Sequence, residues 1–195
     1  MSFLSFFGCG KKAPEYPADT LTTRDGTQIT LTFFKHASLA IEAGGKYIYV
    51  DPVSGYADYA ALPKADVCSS PTRTTTTWTW QPSKRSRPRR PRFSATARRP
   101  RRSDELLHDA PGSVATPRDY LKVEAVAAYN TTDGHLQFHP KDREDCGYIL
   151  TLGGSRIYIA GDTEPTPELK ALKNIDIAFL PVNQPYTMTV DQAVE

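Results

Sequence analysis

The stretch CGYILTLGGSRIYIAGDTE, Cys146 to Glu164, decides the fold. Its two apolar segments, CGYILTL and SRIYIA, flank Gly153-Gly154, and paired glycines between strand-like segments predict a β-hairpin. The second segment runs into Gly161-Asp162, so an apolar strand delivers a carboxylate at its C-terminal end. Such an Asp can bridge two metal ions or shape a turn, and local sequence alone favours the turn.

The residues after this hairpin predict alternating helices and strands. Thr166 followed by Pro167 predicts a helix start, with the helix running to Leu172. IDIAFLPV, Ile175 to Val182, predicts a buried strand. Thr189 with Gln192 predicts a capping box that opens a second helix.

The residues before the hairpin read mostly as strands. A short helix is predicted from Ala57 to Ala61, and Gly44-Gly45 predicts a turn. The predicted strands are Thr27 to Phe34, SLAIEA, KYIYVDP through Asp51, one beginning at Lys64 to Val67, and Tyr120 to Ala128. Strands with helices on the outside predict two facing sheets with flanking helices.

Length and composition predict a globular chain. With 195 residues, one domain is expected over residues 26–195, preceded by a tail or clipped export signal over residues 1–25. No apolar run reaches the roughly 20 residues that span a bilayer. Phe7-Gly8-Cys9 weakly resembles a lipoprotein cleavage site, so the expected location is either the cytoplasm or export through Cys9. Three Cys without regular spacing predict neither a zinc nor a disulfide framework.

Residues 68–102 differ from the rest of the chain in charge. This Arg/Pro-rich segment has ten Arg, Lys84, five Pro and no acidic residue. The whole chain has 24 basic and 22 acidic residues, so the remainder has 13 basic and 22 acidic residues, a net charge of −9 behind the overall +2. We expect residues 72–102 to form an exposed, irregular excursion, because Pro interrupts helices and unpaired Arg is costly to bury.

The stretch TRTTTTWTW, Thr72 to Trp80, indicates a shifted reading frame. One nucleotide earlier, every Thr codon ACN becomes NAC, which encodes His, Tyr, Asn or Asp. Trp78 becomes Leu, Met or Val, and its final G makes Thr79 an Asp. The shifted frame therefore permits aliphatic residues followed by T-H-x-H-x-D-H-L-D-L-A, a buried strand that runs into a cluster of metal ligands.

A second interpretation takes the same segment as it stands. Residues 84–102 have the composition of an arm that neutralises nucleic-acid phosphates through Arg, with Trp78, Trp80 and Phe93 available for stacking. This explains the charge but not Trp78-Thr79-Trp80, whereas the frame shift explains both. We therefore prefer the frame shift, and nucleic acid is not the expected partner.

Three of the four His residues are candidate functional residues. His135 and His139 lie in the polar loop GHLQFHPK, and imidazole is a common metal ligand. Loop histidines are more often exposed to solvent, and this spacing is not diagnostic. His36, in FFKHASLAIE, lies between two predicted strands, where a structural, hydrogen-bonded role is the simpler interpretation.

Taken together, these segments resemble the metallo-β-lactamase-fold hydrolases. Within that superfamily the chain is similar to the predicted metal-dependent hydrolases related to L-ascorbate-6-phosphate lactonase. Their signature after the fourth or fifth strand is H-x-H-x-D-H, which the shifted frame permits at positions 72–77. The matching segments are KHASLAIEAGGKYIYVDP, VEAVAAYN, FHPK, GYILTLGGSRIYIAGDTE and IDIAFLPVNQPYTMTVDQA.

The resemblance implies an αββα sandwich with two divalent metal ions, zinc or manganese, at one edge. In the intact family a metal-activated water attacks an ester, lactone, amide or phosphodiester of a small-molecule substrate. Asp162 matches the bridging Asp, and His139 matches a later His ligand. His36, Asp51 and Asn130 are expected to support the ligands or the local structure, although many relatives have His at the position of Asn130.

This chain departs from the family at the signature itself. Thr occupies the four ligand positions, Thr72, Thr74, Thr76 and Thr77, and zinc prefers His, Cys or carboxylate. The sequence also stops at Glu195, before the segment where the family places its last His. We therefore predict an incomplete αββα domain that binds metal weakly or not at all and is inactive as written.

Overall fold

Two β-sheets pack face to face in the computed structural model, which describes residues 15–72, 75–79 and 110–195, without side chains at residues 69–72 and 75–79. The first sheet contains six strands in sequential order, antiparallel except for the parallel pair β4 and β5. They are β1 (Ala18–Thr22), β2 (Gln28–Lys35), β3 (Ser38–Ala43), β4 (Lys46–Val50), β5 (Val67–Thr72) and β6 (Thr75–Thr79).

The second sheet contains five described strands in the order β11-β10-β9-β8-β7. Only β10 and β11 are parallel. The strands are β7 (Val114–Arg118), β8 (Leu121–Ala127), β9 (Cys146–Leu152), β10 (Ser155–Ile159) and β11 (Ile177–Phe179). The predicted hairpin is β9-β10, and its turn needs glycine because Gly153 and Gly154 both have positive φ, 53° and 76°.

Two short helices follow the β9-β10 hairpin in the sequence, and both begin where the sequence predicts. Helix α1 (Pro167–Lys170) is capped by the Thr166 hydroxyl, which accepts a hydrogen bond from the Leu169 amide. Helix α2 (Val190–Val194) opens with the predicted capping box of Thr189 and Gln192. A 3₁₀ turn, Lys141–Arg143, lies in the loop between β8 and β9.

The core lies between the sheets, where alternate residues of each strand point inward. On β2, for example, Ile29 and Leu31 are buried while Thr30 and Thr32 are partly exposed. The outer face of the second sheet buries Tyr158 and Ala160 against Leu169 and Leu180. The main core comprises Ile29, Leu31, Leu39, Ile41, Ile48, Val50, Val67, Leu121, Val123, Ala125, Cys146, Tyr148, Leu150, Leu152, Ile157 and Ile159.

The prediction of two facing sheets with helices outside is confirmed, and some boundaries differ. The predicted helix Ala57 to Ala61 is instead a series of turns, because the Asp58 carboxylate accepts a hydrogen bond from the Ala60 amide at 3.2 Å. The strand expected over residues 175–182 is confined to β11 and is only partly buried. Strands β1 and β7 were not predicted.

The expectation of an irregular excursion from residue 72 onward was wrong over residues 75–79, which form β6 and pair with β5. Thr and Trp favour extended backbone, and this stretch contains no Pro. Residues 80–102, with most of the Arg and Pro, lie outside the described residues. In the part of the chain that the structure describes, no helix is long and apolar enough to cross a membrane.

Candidate metal centre

Two candidate ligands, His139 and Asp162, meet at the edge of the second sheet. Asp162 follows β10 by three residues, and His139 lies in the loop between β8 and β9. His139 Nε2 lies 3.9 Å from Asp162 Oδ2. The His139 side chain is 14% exposed and that of Asp162 is 68% exposed, so a half-buried imidazole faces a carboxylate that is open to solvent.

Asp51 approaches the same edge from the first sheet. It follows β4, and its positive φ of 45° turns the chain away from the strand. Burial raises the pKa of the Asp51 carboxyl, and the negative charge of Asp162 raises it further. The Ser38 hydroxyl donates a hydrogen bond to the Asp51 carbonyl oxygen, which holds the start of this loop against β3.

The other ring nitrogen of His139 faces Arg143 and Asp145. Arg143 Nη2 lies 2.8 Å from His139 Nδ1, and Asp145 Oδ2 lies 3.7 Å from the same nitrogen. Arg143 also donates to Asp145 Oδ2 from Nε at 2.5 Å. The hydrogen bond to Asp145 raises the pKa of the Arg143 guanidinium, so the arginine remains charged against the ring.

Glu164, which the sequence analysis did not assign, anchors the loop that carries His139. It is 1% exposed, and its Oε2 accepts hydrogen bonds from the amides of Thr131 and Thr132 at 2.7 and 2.6 Å. Its Oε1 lies 2.9 Å from His135 Nδ1. Burial opposes ionisation, but these hydrogen bonds outweigh it and lower the pKa of Glu164 to about 2. Glu164 is therefore a buried, fully bonded carboxylate.

Further hydrogen bonds join the loop after β8 to the turn after β10. The Tyr129 amide donates to Thr163 Oγ1 at 3.0 Å, and the Glu164 amide donates to the Tyr129 carbonyl at 3.1 Å. Thr163 is completely buried. The turn after β10 and the loop after β8 therefore form one hydrogen-bonded unit.

Asn130 braces this loop from inside. Asn130 is 2% exposed, and its backbone N–H donates a hydrogen bond to the His139 carbonyl at 2.8 Å. Its side-chain Nδ2 donates to the backbone carbonyls of His135 and Tyr186. Its Oδ1 is buried and has no hydrogen-bond partner among the described residues. Asn130 thus fixes the backbone at both candidate histidines.

His36 lies in the exposed turn between β2 and β3, with a positive φ of 50°. Its ring packs against Tyr56, with 5.3 Å between the ring centroids. Tyr56, Tyr16 and Tyr59 line an open cavity of about 580 Å³ in the loop after β4. The cavity is large enough for part of a small-molecule ligand.

The described residues do not fit a dinuclear metal centre. Within residues 15–72, 75–79 and 110–195, no three His, Cys, Asp or Glu side chains converge on one point. Thr72, Thr76 and Thr77 have described backbone in β5 and β6, whereas their side chains and all of Thr74 lie outside the description. His139 and Asp162 supply two donors, and a structural or catalytic zinc ion takes at least three protein ligands.

Comparisons with a family model and with known proteins point to one family. A family model described as a beta-lactamase superfamily domain matches residues 30–195. A UPF0173 metal-dependent hydrolase from Flavobacterium johnsoniae is 29% identical in an alignment of length 189, and this alignment covers 84% of this chain and 76% of that relative. Another, from Symbiobacterium thermophilum, is 39% identical in an alignment of length 67, and this alignment covers 30% of each chain.

A solved structure agrees with these matches. It is a crystal structure of a protein from Parabacteroides distasonis to which metal-dependent hydrolase activity is attributed. It is 41% identical to this chain and superimposes with a TM-score of 0.70, over 92% of this chain and 81% of that one. The match to the Symbiobacterium relative, in contrast, spans less than one third of its length.

Proposed function

The chain belongs to the beta-lactamase superfamily, and from that premise we propose that it descends from a metal-dependent hydrolase of small molecules. The proposed reaction is hydrolysis of an ester, lactone, amide or phosphodiester. Zinc or manganese is the proposed metal. The observation that supports this proposal is the approach of His139 Nε2 to Asp162 Oδ2 at 3.9 Å, at the sheet edge that also carries Asp51.

In this proposal, different residues bind the metal, support the loop and contact the substrate. His139 and Asp162 are the metal ligands that the chain retains, and Glu164 and Asn130 hold the loop that carries His139. Burial raises the pKa of Asp51 and the charge of Asp162 raises it further, so the two carboxyls repel each other unless a cation or a proton lies between them. The cavity beside Tyr56 is the proposed place for part of the substrate.

We further propose that the sequence as written is inactive, because Thr stands at positions 72, 74, 76 and 77. Thr hydroxyls are poor zinc ligands, so the chain retains too few donors for two ions. The proposed cause is a pair of compensating frame shifts that flank the Arg/Pro-rich segment. The proposal keeps residues 1–25 as a tail or clipped export signal and residues 26–195 as the domain, although β1 (Ala18–Thr22) already pairs with β2.

Two experiments test this function. Sequencing the gene across codons 66–106 is expected to reveal a compensating pair of single-base insertions or deletions that restores H-x-H-x-D-H. A variant with Thr72→His, Thr74→His, Thr76→Asp and Thr77→His, expressed beside the original, is then assayed on lactone, ester, amide and phosphodiester substrates with Zn²⁺ or Mn²⁺. Measurable metal-dependent hydrolysis by the original chain would refute the proposed inactivity.

A further inference from the structure

Arg143 contacts one ring nitrogen of His139, and Asp162 faces the other. Its Nη2 lies 2.8 Å from His139 Nδ1, at hydrogen-bond distance. A guanidinium has only donors and stays protonated in proteins, so it cannot accept a proton from the ring. His139 Nδ1 therefore accepts the hydrogen bond, and in a neutral ring the proton lies on Nε2, the nitrogen that faces Asp162.

This tautomer is the wrong one for a metal ligand at Nε2. A ring nitrogen binds a metal through its lone pair, and a metal-bound His normally donates its other N–H to a carboxylate, a carbonyl or water. With Arg143 on Nδ1, Nε2 presents a hydrogen instead of a lone pair. His139 therefore presents an N–H donor to Asp162.

The partner that would give the opposite tautomer is already in place. Asp145 Oδ2 lies 3.7 Å from His139 Nδ1, slightly beyond hydrogen-bond distance. Arg143 holds that carboxylate through Nε at 2.5 Å and also donates from Nη1 to the Phe138 carbonyl at 3.2 Å. Arg143 therefore lies between the imidazole and its alternative acceptor.

The local sequence FHPKDRED produces this arrangement. Pro140 precedes the 3₁₀ turn Lys141–Arg143, and the Arg143 amide donates to the Pro140 carbonyl at 3.1 Å. Glu144 then adopts a left-handed conformation with φ of 56°, which reverses the chain. This tight turn brings Arg143 and Asp145 back onto the same edge of His139.

We propose that Arg143 is a positioning residue that keeps His139 in the Nε2–H tautomer, so that the nitrogen facing Asp162 does not fit a metal ligand in this chain. The consequence for metal rests on the proposed function, whereas the tautomer is defined in the protein without metal.

Nitrogen-detected NMR of the full chain tests the tautomer directly. Long-range ¹H–¹⁵N spectra distinguish the two neutral tautomers, and they are recorded near pH 8.5, about two units above the ordinary imidazole pKa of about 6.5. The chain has 4 His, so loss of one signal set in His139→Gln assigns His139. The original chain is expected to show Nε2–H.

Two variants change the contact in different ways. Arg143→Met removes the donor, and Arg143→Lys keeps a charge near Asp145 while removing the fork that reaches both partners. Both are expected to convert His139 mainly to the Nδ1–H form, so failure of one to fold leaves the other. Arg24→Met is the matched control, because Arg24 pairs with Asp176 elsewhere, and its His139 spectrum should be unchanged.

A Zn²⁺ titration of the same samples tests the consequence for metal. Among the described residues only two donors, His139 and Asp162, meet at this edge, and a zinc site takes at least three protein ligands, so neither the original chain nor Arg143→Met should bind zinc stoichiometrically. An Nδ1–H form in the original chain, or an unchanged tautomer in both variants, would overturn the inference. Stoichiometric zinc bound through His139 in the original chain would overturn it as well.

Discussion

Replacing Glu164 with Gln should destabilise the fold strongly at neutral pH. Glu164 is 1% exposed, and its two oxygens accept hydrogen bonds from Thr131, Thr132 and His135. A Gln side chain keeps one acceptor oxygen and points an NH₂ group at donors that were bonded to the second. Each donor that loses its partner beside this buried side chain costs about 1–3 kcal/mol.

The pKa of Glu164 gives an independent magnitude for the same loss. Folding lowers this pKa from 4.5 to about 2. At about 1.4 kcal/mol per pKa unit, the ionised carboxylate contributes about 3 kcal/mol to stability. Because the folded pKa is the lower one, this contribution is complete above pH 4.5 and is lost as the pH falls toward about 2.

Urea unfolding of the original chain and Glu164→Gln, measured from pH 7 down to pH 3, checks both statements. The difference in unfolding free energy should be about 3 kcal/mol at pH 7 and should shrink steadily below pH 4.5. Glu144→Gln, at an exposed position in the same loop region, is the control and should change stability by less than about 0.5 kcal/mol. A pH-independent difference for Glu164→Gln, or one below about 1 kcal/mol at pH 7, would refute the assigned role.

Two further predictions concern the framework that carries the site. In Gly147→Ala the new Cβ would lie 2.5 Å from the Ala160 carbonyl oxygen. Thermal or urea unfolding should therefore show a loss of unfolding free energy of at least about 2 kcal/mol. Gly55 has open space around it, so Gly55→Ala is the control and should leave stability unchanged. Equal stability of these two Ala variants would contradict the packing of β9 on the strand end after β10. Arg24→Met removes a half-exposed ion pair to Asp176, so it should lower the unfolding free energy by less than about 1 kcal/mol. This difference should become smaller in high salt, because salt screens exposed charges. A loss above about 2 kcal/mol that does not depend on salt would contradict this prediction.

The predicted elements that agree with the structure are those with a strong local cause. The β9-β10 hairpin follows from Gly153-Gly154, and both helix starts follow from a Thr that caps the first turn. The Ala57 to Ala61 segment has no such cause, and the side chain of Asp58 organises a turn there instead. Local chemistry was therefore a better guide than composition.

The site was only partly predictable because its contacts join residues far apart in sequence. Asp162 and His139 were paired through a family resemblance, since neither residue is diagnostic by its spacing. Glu164 was missed because a charged residue is rarely buried, and its partners lie 29–33 residues earlier in the chain. The role of Arg143 depends on the 3₁₀ turn that places it beside His139, and no sequence pattern announces that turn.

Metal analysis of the purified 195-residue chain, after equilibration with Zn²⁺ or Mn²⁺ and removal of free ions, shows whether this member of the superfamily has lost its metal-ligand cluster at positions 72–77. We expect far less than one metal ion per chain. Thr72→His, Thr74→His, Thr76→Asp and Thr77→His together should restore stoichiometric uptake. One or more tightly bound ions in the original chain would contradict this expectation.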